Sequence, residues 1–431
     1  MVDYAYLKLW NSLVGAIIWD EKKELGIFEF DPDFVKRGLN LAPITMPISE
    51  LQAGNRIFSF PGLNRDTYSG LPGMIADSLP DQYGNLLIDA WLSRQGRTAN
   101  SFTPVERLCY MGKRSMGAFE FEPVLKKPGS QEKQIEVTEL IELAREVLSN
   151  KDSMNTDLGA DKEKALEEII KVGTSAGGAR AKAVIAINEE SGIIRSGQAE
   201  VPEGFRHWIL KFDGVDDIQF GATHDYGRIE YAYYLMALDC GINMMESRLL
   251  EESGRAHFLT RRFDRLENND KLFMQTLCAI AHYDYNQPGV YSYEQAFGIM
   301  RRLYLPYSDA EQLYRRMCFN VMAKNLDDHT KNISFRMSKD GEWRLSPAYD
   351  IIYSYNPTGR WTSRHQLSIN GKREDLKSMD LMKVAKEMNI NQAVNIIKQV
   401  REIVSQWPDY AKRSNLNTGK TRAIGESHLL L

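Results

Sequence analysis

The chain is poor in cysteine: Cys109, Cys240, Cys278 and Cys318 are its only thiols in 431 residues. They lie far apart and form neither a CxxC nor a Cys/His ligand spacing, which excludes a disulfide-stapled scaffold and a cysteine-based zinc module. We read them as reduced core residues. An excess of either charge is also lacking, with a formal net charge of -4, so binding to nucleic acid by this chain's own overall charge is not expected. Long apolar runs are missing too. The opening stretch "MVDYAYLKLWNSLVGAIIWDEK" carries acids and a lysine inside its apolar pattern, unlike a signal peptide or a membrane span. The expectation is a soluble cytoplasmic protein with no membrane partner. There is no internal repeat and no low-complexity tract. A hydrophobic fraction of 43% and a charged fraction of 26% are ordinary for globular domains and suffice for a large core.

Local patterns predict an α+β protein. Alternating apolar positions in "YAYLKLWNSLVGAIIWDEKKELGIFEF" predict short strands. Helical spacing of Leu86, Leu87, Ala90 and Trp91 behind a capping Asp81 predicts a helix. "TPVERLCYMG" reads as a further helix and "GAFEFEP" as a strand. A mostly charged stretch from Pro128 to about Asp161 reads as a helix and polar loop, the best place for a boundary. After it come strands "AKAVIAI", "HWILKF" and "HFLTRRFDRL", with the helix "RIEYAYYLMALDCGI" among them, and from about Leu272 the pattern turns mainly helical. Three parts follow: a β-rich module over 1–130, a second β-containing part over 131–270 and a helical part over 271–431.

Two stretches carry chemistry. In "VGTSAGGARAKAVIAI", residues 172–187, glycines precede a strand; such a loop is either a tight hairpin or a cradle of main-chain N–H groups for phosphate. The order glycine loop, strand, lysine-bearing strand, glutamate-bearing helix is that of kinase N-lobes, and Lys211 and Glu230 hold those places. In a strand, His207, Ile209 and Lys211 share one face and Trp208, Leu210 and Phe212 the other. A cleft-facing lysine needs an anionic partner, and ATP phosphates are one. The second stretch is "NLDDHTKN", residues 325–332, where Asp327 stands five residues before Asn332. Kinases use that reach to set a base at the acceptor hydroxyl and an amide oxygen on Mg²⁺, with a further metal carboxylate after a hairpin. "ISFRMSKDGEWRLSPAYD" supplies strand, turn, strand and Asp350. Asp328 and His329 form a pair that also looks like metal ligands.

With "GTSAGGARAK", "ILKF", "RRFDR", "DDHTKN" and "PAYDI", and with "LPD" and "GAFEFEP" nearer the start, the chain resembles the HipA family of bacterial serine/threonine kinases over nearly its whole length. The resemblance implies a two-lobed, protein-kinase-like fold and an ATP- and Mg²⁺-dependent toxin of a toxin–antitoxin pair. It implies Asp327 as catalytic base, Asn332 and Asp350 as metal ligands, and Lys211 as phosphate-binding lysine. Gly177, Gly178, Ala179, Arg180, Ala181 and Lys182 would cover the phosphates. Arg261, Arg262 and Phe263 would be the adenine hinge, and His329, Thr330, Lys331, Asn332 and Tyr349 would lie beside the nucleotide with Asp350. Ser175 falls where family members autophosphorylate, with Thr174 the alternative. The implied partners are a HipB-like helix-turn-helix antitoxin, operator DNA mainly through that antitoxin, and a protein substrate of the translation machinery such as an aminoacyl-tRNA synthetase, notably the glutamyl enzyme. The chain departs from the pattern at Arg261, where an acidic residue is expected, and at Asp328, where glycine is common. Other readings of the same residues are a small-molecule phosphotransferase of the aminoglycoside-kinase type and a non-catalytic co-repressor.

Overall fold

The structure, a computed structural model, describes residues 2–94, 96–125, 180–198, 200–214, 225–252 and 254–431. Residues 172–179, with Thr174, Ser175, Gly177, Gly178 and Ala179, and the charged stretch after Pro128 lie outside them. The described residues fall into two compact units: Met1–Leu41, Ile48–Gly227 and Arg248–Met274 make one, and Ala42–Pro47, Arg228–Ser247 and Gln275–Leu431 the other.

The first unit is built on two five-stranded sheets. One contains Tyr4–Leu9 (β1), Ser12–Asp20 (β2), Leu25–Phe30 (β3), Ile57–Phe58 (β4) and Phe119–Glu122 (β5), in the order β4-β3-β2-β1-β5. Its start follows the period-two rule: Ala5, Leu7 and Leu9 are buried while Tyr4 and Tyr6 are exposed. Trp10 and Asn11, both at positive φ, make the two-residue turn into β2, the geometry that matches strand twist in a hairpin. The Trp10 Nε1–H donates to the Lys271 carbonyl at 2.8 Å, which holds a bulky residue in a conformation it seldom adopts.

The other sheet contains Lys182–Asn188 (β6), Ile194–Ser196 (β7), Phe205–Lys211 (β8), Ser247–Glu252 (β9) and Arg255–Arg261 (β10), ordered β7-β6-β8-β10-β9. The face that Trp208, Leu210 and Phe212 share with Ala183, Ile185 and Ile187 is buried against Tyr83, Leu87, Ile88 and Leu92 of the helix Gln82–Arg94. Each large apolar side chain in such a core contributes about 1.5–3 kcal/mol. Residues on either side of the expected boundary near 130 thus share one core. Asp81 starts the helix, its Oδ1 accepting the Gly84 N–H at 2.6 Å.

His207 sits on the opposite face of β8 and is 6% exposed, with Nδ1 3.0 Å from the Gly197 carbonyl. Burial, and then the nearby charges of Arg262 and Arg265, push its pKa down to about 4, so at neutral pH it is uncharged and donates from Nδ1. Because the unfolded chain takes up this proton near the ordinary value of about 6.5, stability is complete above that pH and falls between there and 4. We expect His207 to cost on the order of 2 kcal/mol on going from pH 7 to 5. Thermal unfolding of His207→Asn should show a shallower loss over that interval; a slope equal to the wild type's would contradict it.

The second unit is mainly helical, with Tyr293–Arg302, Tyr307–Met322, Ser378–Met388, Ala393–Ser405, Trp407–Arg413 and Thr418–Ser427 as its main helices. A capping box starts the first of them, Ser292 and Gln295 exchanging side-chain to main-chain bonds. The three-stranded sheet has the order β11-β12-β13, from Phe273–Thr276 (β11), Ser334–Met337 (β12) and Trp343–Leu345 (β13). Among the described residues no helix is long and apolar enough to cross a membrane.

Candidate active site

The helix Tyr307–Met322 delivers the chain to residues 325–332 and stops in a defined way. Lys324 takes a left-handed conformation, φ +56°, and the Asn325 N–H returns to the Asn320 carbonyl at 3.0 Å, a Schellman-type end that normally uses glycine. The Lys324 ammonium rests 5.3 Å over the Tyr355 ring. The loop that follows closes on itself: the Asn332 Nδ2–H donates to the Asp327 carbonyl at 2.7 Å. This engages the amide nitrogen of Asn332 and turns Oδ1 into its acceptor end, the kind of oxygen Mg²⁺ accepts. The Asp327 N–H donates to Ser354 Oγ at 3.0 Å, so the main chain of Asp327 is held from both ends while its carboxylate is 38% exposed. His329 Nε2 lies 3.9 Å from that carboxylate.

Asp350 arrives as the sequence predicts, after the hairpin β12–β13. Its backbone is left-handed, φ +52°, a conformation that aspartate tolerates better than most residues but that still costs energy. Its carbonyl accepts from Asn325 Nδ2 at 3.5 Å. Tyr349 donates its hydroxyl to the Lys331 carbonyl at 2.7 Å, the Lys331 ammonium lies 4.5 Å over the Tyr285 ring, and Thr330 Oγ1 donates to the Tyr283 carbonyl at 2.7 Å. The second unit therefore brings Asp327, His329, Thr330, Lys331, Asn332, Tyr349 and Asp350 into one hydrogen-bonded neighbourhood. Asn332 and Asp350 offer hard oxygen donors, which fit Mg²⁺ because that ion keeps water and substrate phosphate as its other ligands.

Asp328 behaves differently from its neighbour. Its carboxylate turns inward, accepting from Tyr293 Oη at 3.0 Å, His365 Nδ1 at 2.8 Å and the Gln366 N–H at 2.7 Å. The inward turn of Asp328 could not be read from spacing, since its donors come from 35 to 38 residues away. The supporting residues Tyr293, Asn320, Ser354 and His365 carry no motif that would have singled them out, while Asn325 opens the stretch 325–332.

In the first unit Lys182 and Lys211 are direct register partners across β6 and β8. The Lys211 ammonium lies 5.8 Å over the Phe258 ring. Lys182 is buried, with its ammonium 3.3 Å from Asp81 Oδ2. Arg180 places its guanidinium 4.0 Å over the Tyr226 ring, and Ala181 joins the core. Just past Lys211, Asp213 caps the next helix by accepting from the N–H groups of Asp225 and Tyr226, and burial raises its pKa. Glu230, also buried, belongs to the second unit.

The segment "RRFDR" is largely structural in its side chains. Arg261 pairs with Trp208 in the β10–β8 register. Arg262 forks onto Asp264, Nε to Oδ1 at 2.9 Å and Nη2 to Oδ2 at 2.7 Å, and Arg265 reaches the same Oδ2 at 2.7 Å. All three are buried. The Arg262 N–H donates to the His207 carbonyl at 2.9 Å. Burial by itself would raise the Asp264 pKa, but the two guanidiniums hold it well below the ordinary carboxylate range.

Residues 5–122 match the HipA N-terminal domain and residues 174–407 the HipA-like C-terminal domain. Among solved structures, one chain of the complex of HipA, HipB and operator DNA from the Shewanella oneidensis MR-1 toxin–antitoxin system is similar at 14% identity, covering 98% of this chain and 94% of that one with a TM-score of 0.65. The Helicobacter pylori proinflammatory kinase CtkA is similar at 10% identity over 51% of this chain and 86% of its own, with a TM-score of 0.33. The fold is α+β and HipA-like, with a β-rich first unit and a mostly helical second. With both domain types matched in order along one chain, the protein belongs to the HipA family.

Proposed function

We propose that this chain is an ATP- and Mg²⁺-dependent serine/threonine protein kinase and the toxin of a toxin–antitoxin pair. The observation that carries the reading is the loop 325–332, in which Asn332 fixes the main chain of Asp327 while the Asp327 carboxylate stays open, one strand hairpin before Asp350. In this account Asp327 takes the proton of the acceptor hydroxyl, and Asn332 and Asp350 hold the metal. Mg²⁺, when bound, offsets the charge on the transferring phosphoryl group. Lys211 binds phosphate and residues 177–182 cover it, Lys182 acting from the anchored end of that loop beside Asp81. Arg261, Arg262 and Phe263 hold adenine by main-chain groups. Ser175 is the autophosphorylation site: a phosphate there adds about -1.5 to -2 charge where a second anion must bind, which switches the enzyme off. The three parts 1–130, 131–270 and 271–431 then serve as N-terminal module, N-lobe and C-lobe. The partners are a HipB-like helix-turn-helix antitoxin, operator DNA through that antitoxin, and a protein of the translation machinery as substrate.

Expression of the chain without a partner should arrest growth, and co-expression of an adjacent helix-turn-helix protein should relieve the arrest. Growth curves with and without that protein are the check. Unimpaired growth with soluble, active enzyme in the cells would point instead to a metabolic phosphotransferase.

A further inference from the structure

We propose that Asp328 is a positioning residue, tying the segment that follows Asp350 to the loop 325–332, and neither a metal ligand nor a second proton acceptor. The inference rests on Asp327 as the proton acceptor. The Asp328 side chain is 2% exposed, and both of its oxygens are engaged by protein donors. Those donors come from the first turn of the helix Tyr293–Arg302 and from residues 365 and 366. Residue 366 is tied further, its carbonyl accepting the Gly289 N–H at 2.8 Å, and Arg373 Nε donates to the His365 carbonyl at 2.5 Å.

From Asp328 the bonds run on in a consistent direction. Tyr293 Oη donates to Asp328 and accepts from Asn320 Nδ2 at 3.0 Å; Asn320 Oδ1 accepts from Asn325 Nδ2 at 3.0 Å. Asn325 Oδ1 accepts from Ser354 Oγ at 3.1 Å, and Ser354 Oγ accepts the N–H of Asp327. The circuit thus begins at the side chain of residue 328 and returns to the main chain of residue 327. A hydroxyl has one proton, which Tyr293 spends on Asp328 while a lone pair of the same oxygen accepts from Asn320. Buried networks of this kind are rigid when every member is satisfied and costly when one is not.

Asp328→Asn keeps the size but places an N–H₂ among three donors. In the full chain it should lower the single-turnover rate of transfer from ATP by about 10- to 100-fold. The KM for ATP and the Mg²⁺ concentration for half-maximal rate should stay within about threefold, since a positioning group acts on the transition state. His365→Asn, which keeps an N–H donor, should stay near wild type, and His365→Leu should resemble Asp328→Asn. Hydrogen exchange should rise in peptides covering 325–332 and 361–366 and not in the helix Ala393–Ser405. Rate restored by excess Mg²⁺ would make Asp328 a metal ligand. Exchange rising evenly over the second unit, or rate and exchange both unchanged, would also overturn the proposal. A wild type that transfers no phosphate would defeat the kinase reading alone, because the exchange measurement decides the tie between the two segments independently.

Discussion

Asp327→Ala should reduce phosphoryl transfer by about 10²–10⁴-fold, the range a positioned general base supplies, and leave the fold and ATP binding intact. The two bonds that place Asp327 are made by its N–H, to Ser354 Oγ, and its carbonyl, from Asn332 Nδ2. Alanine keeps both. The Asp327 side chain is 38% exposed, so the loss of its carboxylate should change stability by no more than about 0.5 kcal/mol. Transfer from radiolabelled ATP, measured beside a thermal melt and a nucleotide-binding titration, separates chemistry from folding. Equal transfer by both proteins would remove Asp327 from the role. His329, with Nε2 3.9 Å from the same carboxylate, would then be the next group to replace.

The largest expected effect on stability belongs to Asp264→Ala, at about 3–5 kcal/mol. Asp264 is completely buried with Arg262 and Arg265, and it also accepts the Gly117 N–H at 2.7 Å. Taking away the anion leaves two guanidiniums out of water beside each other, and neither can lose its proton to escape. Arg265 also donates to the carbonyls of Gly117 and Ser115, so the loss spreads from the β10 end to the approach to β5 within the first unit. Denaturant titration of the wild type and Asp264→Ala measures it, and a difference below about 1 kcal/mol would contradict the account. The pH dependence has a definite sign. Since Asp264 titrates lower in the folded chain than in the unfolded one, its contribution is complete above about pH 3.9 and is lost as the pH falls below that value.

The features of the candidate site that are legible in the sequence are local ones. The separation of Asp327 from Asn332, the hairpin before Asp350 and the alternation of Trp208, Leu210 and Phe212 are short-range features, and short-range geometry fixes them. What could not be read depends on partners distant in sequence. The resemblance places Arg261, Arg262 and Phe263 at the adenine hinge and gives Arg265 no role; its guanidinium is spent on carbonyls 148 and 150 residues away. Lys182 alternates like any strand residue, and only the fold brings Asp81, 101 positions earlier, beside it. Asp328 is chemically identical to Asp327, and its inward turn is decided by Tyr293, His365 and Gln366. The core joining the helix Gln82–Arg94 to the β6–β8 face is likewise made by residues about a hundred positions apart, which composition does not show.

The most direct test of the central claim is the fate of the γ-phosphate. Purified full-length chain is incubated with γ-labelled ATP and cell lysate, with Mg²⁺ or with chelator, and the label is resolved into protein and small-molecule fractions. The account predicts label on serine or threonine of proteins, including the peptide 172–182 of the chain itself, only when Mg²⁺ is present and not with Asp327→Ala. Label confined to small molecules, or no transfer at all by the wild type, would contradict it.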